Sequence, residues 1–556
     1  MDRNNAFSNS RRARHFGRSN PARQNSQAPN GNWRKNLRET YLSETPLNCD
    51  ESHQDFSLQL GDLHLEDNYN HSLRNSNHGS VDNGFMRSNR YSSLPDWALD
   101  ENCEIRTDLT LQKVIDEGLV VSFSMDKAGC HYLQSNYFGE NTQDIEPYIR
   151  ERVSREILGS KDVFISISKN VFGNFFLQRV IEYSNPSDQG TIKNYIIDDI
   201  TALCLDKSGC RVVQTALEKL EPRHADDIVA AIPRKNRLMA ICTDQNANHV
   251  IQKITKKMSL SKWDFLITYL CKKEHSNLLD ICQDKYGCRV VQTIVEVLSE
   301  DCVNKLEAAE KAIMLRRLMQ KVLSNCSKLA SNEFANYVIQ HIIETPGILS
   351  DYRNAIIEMC LLRSLLSLSQ EKYASHVVER AFVYAPLSHI AEMMEEIFDG
   401  YVPHPDSGKD ALDILMFHQF GNYVVQRMLR ICVDVVTKKR ENVINGVDYH
   451  DKFEAWLAKL YVRARRERIR LTRFSSGKKI LDILQSMEEY VPSSYQSATA
   501  PPYSPVDDAL VALYASSFLS PPATTASVSH DFPSRSTSLS SEHLDYDLNF
   551  NNYSKF

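Results

Sequence analysis

Glycine and proline are scarce in this chain, with 19 of each among 556 residues. The middle of the chain also lacks the alternation of polar and apolar residues that marks strands, so both observations favour helices. No apolar run is long enough to span a bilayer, and no secretory signal accompanies the 13 scattered cysteines. We therefore expect reduced cysteines and a cytoplasmic protein without a membrane partner.

A catalytic constellation is also missing. The 17 histidines are scattered, and the sequence contains neither a glycine-rich phosphate loop nor paired carboxylates at a recurring spacing. Cys204 with Cys210 and Cys282 with Cys288 recur only as parts of a longer repeat, so they do not indicate a zinc site. We predict a protein that is not an enzyme and that holds no metal or cofactor.

The chain has no overall excess of positive charge, since its net charge is −6. Residues 1–40 carry nine Arg and Lys against two acidic residues, a net +7, which leaves −13 for the rest of the chain. The Asn-, Ser- and Arg-rich residues 1–95 and the Ser-, Pro- and Thr-rich residues 491–556 are predicted to be disordered, with residues 96–490 forming the folded domain. A second basic run, residues 463–473, either extends a basic surface or caps the fold.

What the chain does contain is one short motif, repeated eight times. It reads Gly or Ala, then Cys, Asn or Ser, then a planar side chain, two apolar residues, and Gln or Glu. The copies are residues 129–134, 173–178, 209–214, 247–252, 287–292, 335–340, 374–379 and 421–426. Self-similarity at this period indicates a solenoid of stacked helical repeats, each too small to bury its own apolar face.

Each motif is predicted to lie on a helix. Four residues before the Cys/Asn/Ser column, six of the eight copies have a good N-cap residue. The eight residues are Asp126, Asn170, Asp206, Asp244, Asp284, Asn332, Glu371 and His418. On such a helix Asn422 and Gln426 are neighbours on one face, whereas Val424 and Val425 face the core. The Gly/Ala column keeps the first turn slim, which permits close approach of a neighbouring helix or a ligand.

Three motif columns are candidate contacts for RNA bases. The base-edge candidates are Cys130, Gln134, Asn174, Gln178, Cys210, Gln214, Asn248, Gln252, Cys288, Gln292, Asn336, Gln340, Ser375, Glu379, Asn422 and Gln426. The stacking candidates are His131, Phe175, Arg211, His249, Arg289, Tyr337, His376 and Tyr423. All eight of the latter can stack on a base. The first column is not read as core, because its Asn and Ser would then be buried and unsatisfied.

These motifs resemble the repeats of the Pumilio (PUF) family, in a nematode-like member, and that family reads single-stranded RNA one base per repeat. The resemblance implies an all-α fold, a right-handed α-solenoid crescent of eight PUF repeats. Half-repeat caps are expected around residues 109–115 and 474–481. It further implies a monomer that binds 3′ untranslated regions of mRNA, represses translation or promotes decay, and recruits protein co-regulators such as deadenylase-recruiting factors.

The predicted RNA element follows from the base-edge columns. Ionised Glu379 only accepts hydrogen bonds, and guanine offers two adjacent donors, so the Ser375 and Glu379 pair is predicted to bind G. The resemblance implies uracil for Asn with Gln, adenine for Cys with Gln, and an antiparallel RNA, which together give UGUAUAUA. The motif copies are 36 to 48 residues apart. From this irregular spacing we expect the RNA positions opposite repeats 4 and 5 to tolerate base substitutions. We also expect elements with one or two extra central bases to bind.

Two further sets of residues are candidate contacts. Arg179, Lys253, Arg380 and Arg427 follow the Gln/Glu column directly and are candidates for phosphate contacts; the alternative is that they are ordinary solvated charges. Tyr401, in a turn-rich loop between repeats 7 and 8, is a candidate protein contact; the alternative is a tolerated insertion. For the whole chain, the alternative function is a helical-repeat scaffold that binds a peptide in its concave groove.

Overall fold

The computed structural model describes residues 94–138, 145–233, 237–272, 275–405, 407–444 and 446–485. Contacts divide the chain into two units, Met1–Arg90 and Tyr91–Phe556, and every described residue belongs to the second. The predicted arm 1–95, apart from its last two residues, and the predicted tail 491–556 lie outside the described residues.

The repeats each fold into three helices, which we call the lead helix, the motif helix and the trailing helix. Helix α1 (Leu111–Asp116) precedes them. Repeats 1 and 2 contain α2 (Val120–Met125), α3 (Lys127–Tyr137), α4 (Pro147–Leu158), α5 (Lys161–Lys169), α6 (Gly173–Glu182) and α7 (Pro186–Asp198). Repeats 3 and 4 contain α8 (Ile200–Leu205), α9 (Gly209–Lys219), α10 (Pro222–Ala231), α11 (Leu238–Thr243), α12 (Asn248–Lys257) and α13 (Leu260–Leu270).

The second half of the domain keeps the same order. Repeats 5 and 6 contain α14 (Asn277–Cys282), α15 (Gly287–Ser299), α16 (Lys305–Leu323), α17 (Cys326–Ala330), α18 (Asn336–Glu344) and α19 (Ser350–Ile356). Repeats 7 and 8 contain α20 (Leu365–Leu368), α21 (Ala374–Tyr384), α22 (Leu387–Asp399), α23 (Ala411–Phe417), α24 (Gly421–Val436) and α25 (His450–Arg466). Helices α26 (Arg468–Leu471) and α27 (Ser475–Gln485) follow.

A few short elements interrupt this pattern. Helical turns of 3-10 type occupy Asp96–Ala98 and Gly347–Leu349, and a π-helical turn, Ile357–Leu361, continues α19. Strands β1 (Val443–Ile444) and β2 (Val447–Asp448) form a small antiparallel hairpin before α25. The predicted all-α solenoid of eight repeats is confirmed, and α1 and α27 lie where the two half-repeat caps were expected.

The predicted N-caps explain why the motif helices begin where they do. Asp284 Oδ1 accepts hydrogen bonds from the backbone N–H groups of Tyr286 and Gly287, at 2.8 and 2.7 Å. The five other Asp and Asn caps make equivalent bonds. His418 also caps its helix, since its Nδ1 accepts from two backbone N–H groups. Burial lowers the pKa of His418, which favours the neutral ring that an accepting nitrogen requires.

The core runs through all eight repeats. In seven of the eight motifs both apolar residues before the Gln/Glu column are buried, as Val424 and Val425 are, and in repeat 1 Leu133 is buried while Tyr132 is half-buried. Consecutive motif helices pack side by side from α3 to α24, and α27 packs on α24. Because each buried valine contributes on the order of 1.5–3 kcal/mol, the stack of neighbours supplies the stability that a lone repeat lacks.

Two arginines of the basic run 463–473 are paired with acidic residues at the start of α23. The Arg463 guanidinium makes two hydrogen bonds to the Asp410 carboxylate, at 2.8 and 2.7 Å, and lies 2.7 Å from Asp413. Arg466 also reaches Asp413, at 3.1 Å. These pairs fasten α25 to the start of α23, so for these two arginines the structure favours the capping role. Among the residues that the structure describes, no helix is long and apolar enough to cross a membrane.

The Gly/Ala column packs closely against the lead helix, as predicted. A Cβ placed on Gly287 would lie 2.3 Å from the Ile281 carbonyl oxygen, a backbone atom of α14. On Gly421 the nearest atom would instead be Leu415 Cδ2, at 2.7 Å, with the Leu415 backbone at 3.1 Å. The two sites therefore differ in what must move to admit a methyl group.

We expect Gly287→Ala to lower the thermal unfolding midpoint of the full chain, because α14 must shift to relieve the clash, at a cost of about 1–3 kcal/mol. Gly421→Ala is the matched control and is expected to lower the midpoint less, since the end of a leucine side chain can rotate away. Calorimetry of both variants makes the comparison. Equal midpoints for the two would contradict the packing argument.

Candidate nucleic-acid interface

The first base-edge column is buried in every repeat. Its eight residues are Cys130, Asn174, Cys210, Asn248, Cys288, Asn336, Ser375 and Asn422, and they are only 1–5% exposed. The expectation that buried Asn or Ser would be unsatisfied is wrong. The structure shows that backbone carbonyls of the turn just before each motif helix accept their hydrogen bonds.

The four asparagines share one hydrogen-bonding arrangement. Asn336 Nδ2 donates to the backbone carbonyls of Asn332 and Glu333, at 2.7 and 2.8 Å. Its Oδ1 accepts from Gln340 Nε2, four residues on, at 2.7 Å. The same three bonds recur at Asn174, Asn248 and Asn422. Each Asn therefore holds its Gln on the same helix face, as the i and i+4 spacing predicted.

The three cysteines of this column are neutral thiols. Cys210 Sγ and Cys288 Sγ each donate to the carbonyl oxygen three residues earlier, at 3.3 Å. Burial raises the pKa of Cys130 and of Cys288 to about 11. At neutral pH these side chains are small and weakly polar, so they leave the neighbouring Gln without the strong partner that an Asn supplies.

The stacking column lies next to this buried column and is accessible in all eight repeats. His131, His249, His376 and Tyr423 are exposed, and the other four side chains are half-buried. The Arg289 guanidinium lies over the Tyr337 ring of the next repeat, 5.7 Å from its centroid. Planar groups of neighbouring repeats therefore already approach each other at a distance at which cations and rings attract.

His249 shows how neighbouring repeats affect this column. The residues packed around one side of the otherwise exposed His249 ring desolvate it and lower its pKa, and the Arg211 guanidinium of the preceding repeat lowers it further. The neutral ring is favoured at physiological pH, so it can stack on a base without the cost of burying a charge.

Repeat 7 differs from the others in its polar pair. Ser375 Oγ donates to the Lys372 carbonyl at 3.3 Å. The Glu379 carboxylate lies between His376 Nδ1, at 3.6 Å, and the Arg427 guanidinium of repeat 8, at 3.9 Å. With its side chain 19% exposed, Glu379 presents an acceptor to solvent beside the stacking column.

The four phosphate candidates all have acidic partners in the structure. Arg179 pairs with Glu182 at 2.7 Å, Lys253 with Glu218 at 2.5 Å and Arg380 with Glu344 at 3.7 Å. Arg427 pairs with Glu379. The Lys253 ammonium holds the pKa of Glu218 below its ordinary value. Phosphate contacts by these residues stay a prediction, and they would compete with a partner that is already in place.

The loop between repeats 7 and 8 contains Tyr401, the candidate protein contact. Tyr401 is half-buried, and its hydroxyl donates to the Glu396 carboxylate and accepts from the Leu366 backbone N–H at 3.0 Å. Burial raises its pKa. The exposed apolar residue of this loop is its neighbour Val402, at 63%. Tyr401 thus anchors the loop, and its role as a partner contact is not supported by this geometry.

Sequence reasoning missed two residues at this surface. Thr215 and Thr293 donate hydrogen bonds to Gln178 and Gln252 of the preceding repeats, at 2.9 and 3.1 Å. They occupy the same motif position as the phosphate candidates, directly after the Gln/Glu column. The signal in the sequence was that this position holds a short hydroxyl side chain in repeats 1, 3 and 5 and Arg, Lys or His in the other five.

Comparison with known proteins finds similar repeats in a protein family and in two related proteins. The profile of a family described as "PUF: Pumilio-family RNA binding repeat" matches residues 120–135, 164–197, 199–232, 237–254, 277–306, 325–346, 364–398 and 414–438. Two Caenorhabditis elegans proteins, Fem-3 mRNA-binding factor 2 and Fem-3 mRNA-binding factor 1, are each 48% identical over 419 residues, which is 73% of this chain. The chain spans 65% and 67% of their respective lengths.

Two solved structures of RNA-bound proteins are also similar to this chain. The crystal structure of PUF-6 in complex with 5BE13 RNA is 39% identical, with a TM-score of 0.63, and covers 68% of this chain and 100% of that one. The crystal structure of PUF-8 in complex with PBE-RNA is 24% identical, with a TM-score of 0.53, covers 69% and 96% of the two chains, and shows the fold alone.

The buried thiols lead to a prediction about reactivity. At pH 8 a thiol with a pKa of about 11 is ionised in only about one molecule in a thousand, and the thiolate is the nucleophile. We expect iodoacetamide to modify the exposed Cys103 well before Cys130 or Cys288, as followed by peptide mass spectrometry. In urea, where the fold is lost, the three should react alike. Modification of native Cys288 as fast as Cys103 would contradict this account.

Proposed function

Because the chain belongs to the Pumilio (PUF) family, we propose that it binds single-stranded RNA sequence-specifically, with one base on each of its eight motif helices. The observation that carries this proposal is the pairing of two columns along the whole stack. A planar, accessible side chain stands beside a polar pair in each repeat, and in repeats 2, 4, 6 and 8 a hydrogen bond joins the two members of that pair. Stacking and edge recognition are the two contacts that single-stranded bases require.

The proposed element is UGUAUAUA, read from repeat 8 to repeat 1. Glu379 carries the assignment of guanine to the second base, because a carboxylate accepts from two adjacent donors. The Asn and Gln pairs of repeats 2, 4, 6 and 8 are assigned uracil, and the Cys and Gln pairs are assigned adenine, by the family's code. Elements with one or two extra central bases are included, since the spacing of the motifs is uneven.

In the cell, we propose a cytoplasmic, non-enzymatic regulator of messenger RNA. The protein would bind such elements in 3′ untranslated regions and repress translation or promote decay by recruiting protein co-regulators. The names of the two C. elegans relatives, both mRNA-binding factors, support the RNA part of this proposal. The regulatory part rests on the family resemblance.

Filter binding tests the RNA proposal. The full chain should bind UGUAUAUA more tightly than a scrambled octamer, whereas a peptide-binding scaffold would bind neither selectively. Ser375→Asn combined with Glu379→Gln should move the preference at the second base from G to U, because a carboxamide replaces the carboxylate acceptor. The mismatched base should cost about 1–3 kcal/mol, the range known for DNA sites.

The other bases of the element are the internal control for this swap. Their preferences should stay as in the natural chain, because their repeats are unchanged. A double variant that still prefers G would show that Glu379 does not read this base.

The repeat 7–8 loop is the proposed docking site for a co-regulator, with Val402 in place of Tyr401 as the contact. Val402→Ser should reduce the deadenylase activity that co-purifies with the protein from cell extract, because an exposed apolar contact is lost, and it should leave RNA affinity unchanged. Val443→Ser, at another exposed valine, is the control. Equal retention of deadenylase by both variants would argue against this loop.

A further inference from the structure

In repeats 3, 5 and 7 the residue directly after the Gln/Glu column donates a hydrogen bond to the glutamine of the preceding repeat. Thr215 Oγ1 donates to Gln178 Oε1 at 2.9 Å, and Thr293 Oγ1 donates to Gln252 Oε1 at 3.1 Å. In repeat 7, Arg380 Nε donates to Gln340 Oε1 at 3.2 Å. The three glutamines that receive these bonds are the partners of the asparagines in repeats 2, 4 and 6.

The same glutamines are also held at their other end. The Asn of each pair donates to two backbone carbonyls, and a carbonyl only accepts, so the orientation of the Asn amide is forced. Its Oδ1 therefore faces the Gln and requires a donor, which is Gln Nε2. Gln Oε1 must then point toward the next repeat, where Thr or Arg supplies the donor.

In the repeats with cysteine, no described residue directly after the Gln/Glu column of the following repeat bonds to the glutamine. The corresponding side chains of the following repeats turn to acidic partners instead: Arg179 to Glu182, Lys253 to Glu218 and His341 to Glu344. The three glutamines then adopt three arrangements. Gln134 contacts Cys130, Gln214 bonds to its own helix, and Gln292 bonds to Arg289 and to the Tyr337 carbonyl.

The orientation of a carboxamide decides which pyrimidine it fits. Each anchored Gln has one N–H and one lone pair of its oxygen left over after its two internal bonds. Uracil offers a carbonyl oxygen beside the N3–H donor, whereas cytosine offers an amino donor beside the N3 acceptor. A carboxamide that rotates by half a turn exchanges its donor and acceptor and fits either base, and one that is held at both ends fits only one.

We propose that Thr215, Thr293 and Arg380 are positioning residues, each of which holds the glutamine of the preceding repeat in a single carboxamide orientation and so makes that repeat select uracil over cytosine. The proposal rests on the proposed RNA-binding function and deepens it. It adds a specificity determinant outside the three motif columns, in the neighbouring repeat.

Repeat 7 differs from all the others because it carries a carboxylate, Glu379, in place of the Gln carboxamide. The Arg427 guanidinium lies 3.9 Å from Glu379, at the same motif position as Thr215. A carboxylate has two like oxygens, so it has no orientation to hold, and there the following repeat supplies a counter-charge. Orientation control is therefore confined to the repeats that read with a carboxamide.

The experiment compares three substitutions in the full chain. Thr215→Val keeps the shape of the side chain and removes the hydroxyl, Thr215→Ser keeps the hydroxyl, and Thr293→Val makes the same change two repeats away. Each protein is titrated with UGUAUAUA and with the octamers that carry C in place of U at position 7, opposite repeat 2, or at position 5, opposite repeat 4. The readout is the ratio of affinities for U and C at each position.

We expect Thr215→Val to lower the U-to-C ratio about tenfold at position 7 only, which corresponds to about 1.4 kcal/mol. Thr293→Val should do the same at position 5 only, and Thr215→Ser should behave as the natural chain. A general weakening by a damaged fold would lower all affinities together and leave both ratios unchanged.

Unchanged ratios in both valine variants, or equal losses at both positions, would overturn the proposal. So would a Ser variant as relaxed as the Val variant, since the hydroxyl would then be irrelevant. Failure of the natural chain to bind UGUAUAUA at all would instead count against the proposed function. The two failures are thus separated by the unsubstituted protein.

Discussion

The contact between consecutive motif helices is the interaction on which the rest of the domain depends. Each motif helix places two apolar residues in the core, and these are covered only when the helices of the neighbouring repeats lie alongside. A repeat of three short helices has too little apolar surface to fold alone. Stability, the spacing of the polar columns and the approach of one repeat's side chains to the next all follow from this single packing arrangement.

The geometry of each motif helix places core residues on one face and an accessible planar side chain on another. Residues such as Val424 and Val425 face inward, whereas Tyr423 of the same helix is 41% exposed. The polar pair Asn422 and Gln426 lies between these faces, buried but joined by a hydrogen bond at 3.0 Å. Repeats 2, 4 and 6 carry the same hydrogen-bonded pair beside an accessible planar side chain, and a buried pair of this kind is rigid because each member has a partner.

Electrostatics at this surface are balanced between repeats. Glu182 lies 2.7 Å from Arg179 of its own helix and 2.8 Å from Lys219 of the next, and Lys219 lowers the pKa of Glu182. Glu218 and Glu344 pair with cations of the following repeats in the same way. An acidic chain thus places its cations beside the polar columns without a large excess of positive charge there. Specificity in such a surface depends on the orientation of hydrogen-bonding groups more than on charge attraction.

The sequence by itself determined the features that repeat. The spacing of residues within the motif predicted the helices, their six Asp and Asn caps, the inward apolar pairs and the columns that share a face. Each of these features depends on residues within four positions on one helix. Only the tertiary structure decided which partner a side chain takes across 30 or more residues. It placed the Tyr401 hydroxyl against the Leu366 backbone N–H, paired Lys253 with Glu218, and brought Thr215 to Gln178. Such contacts depend on how two repeats are offset when they pack, and that offset is set by the summed fit of many side chains, which no local pattern encodes.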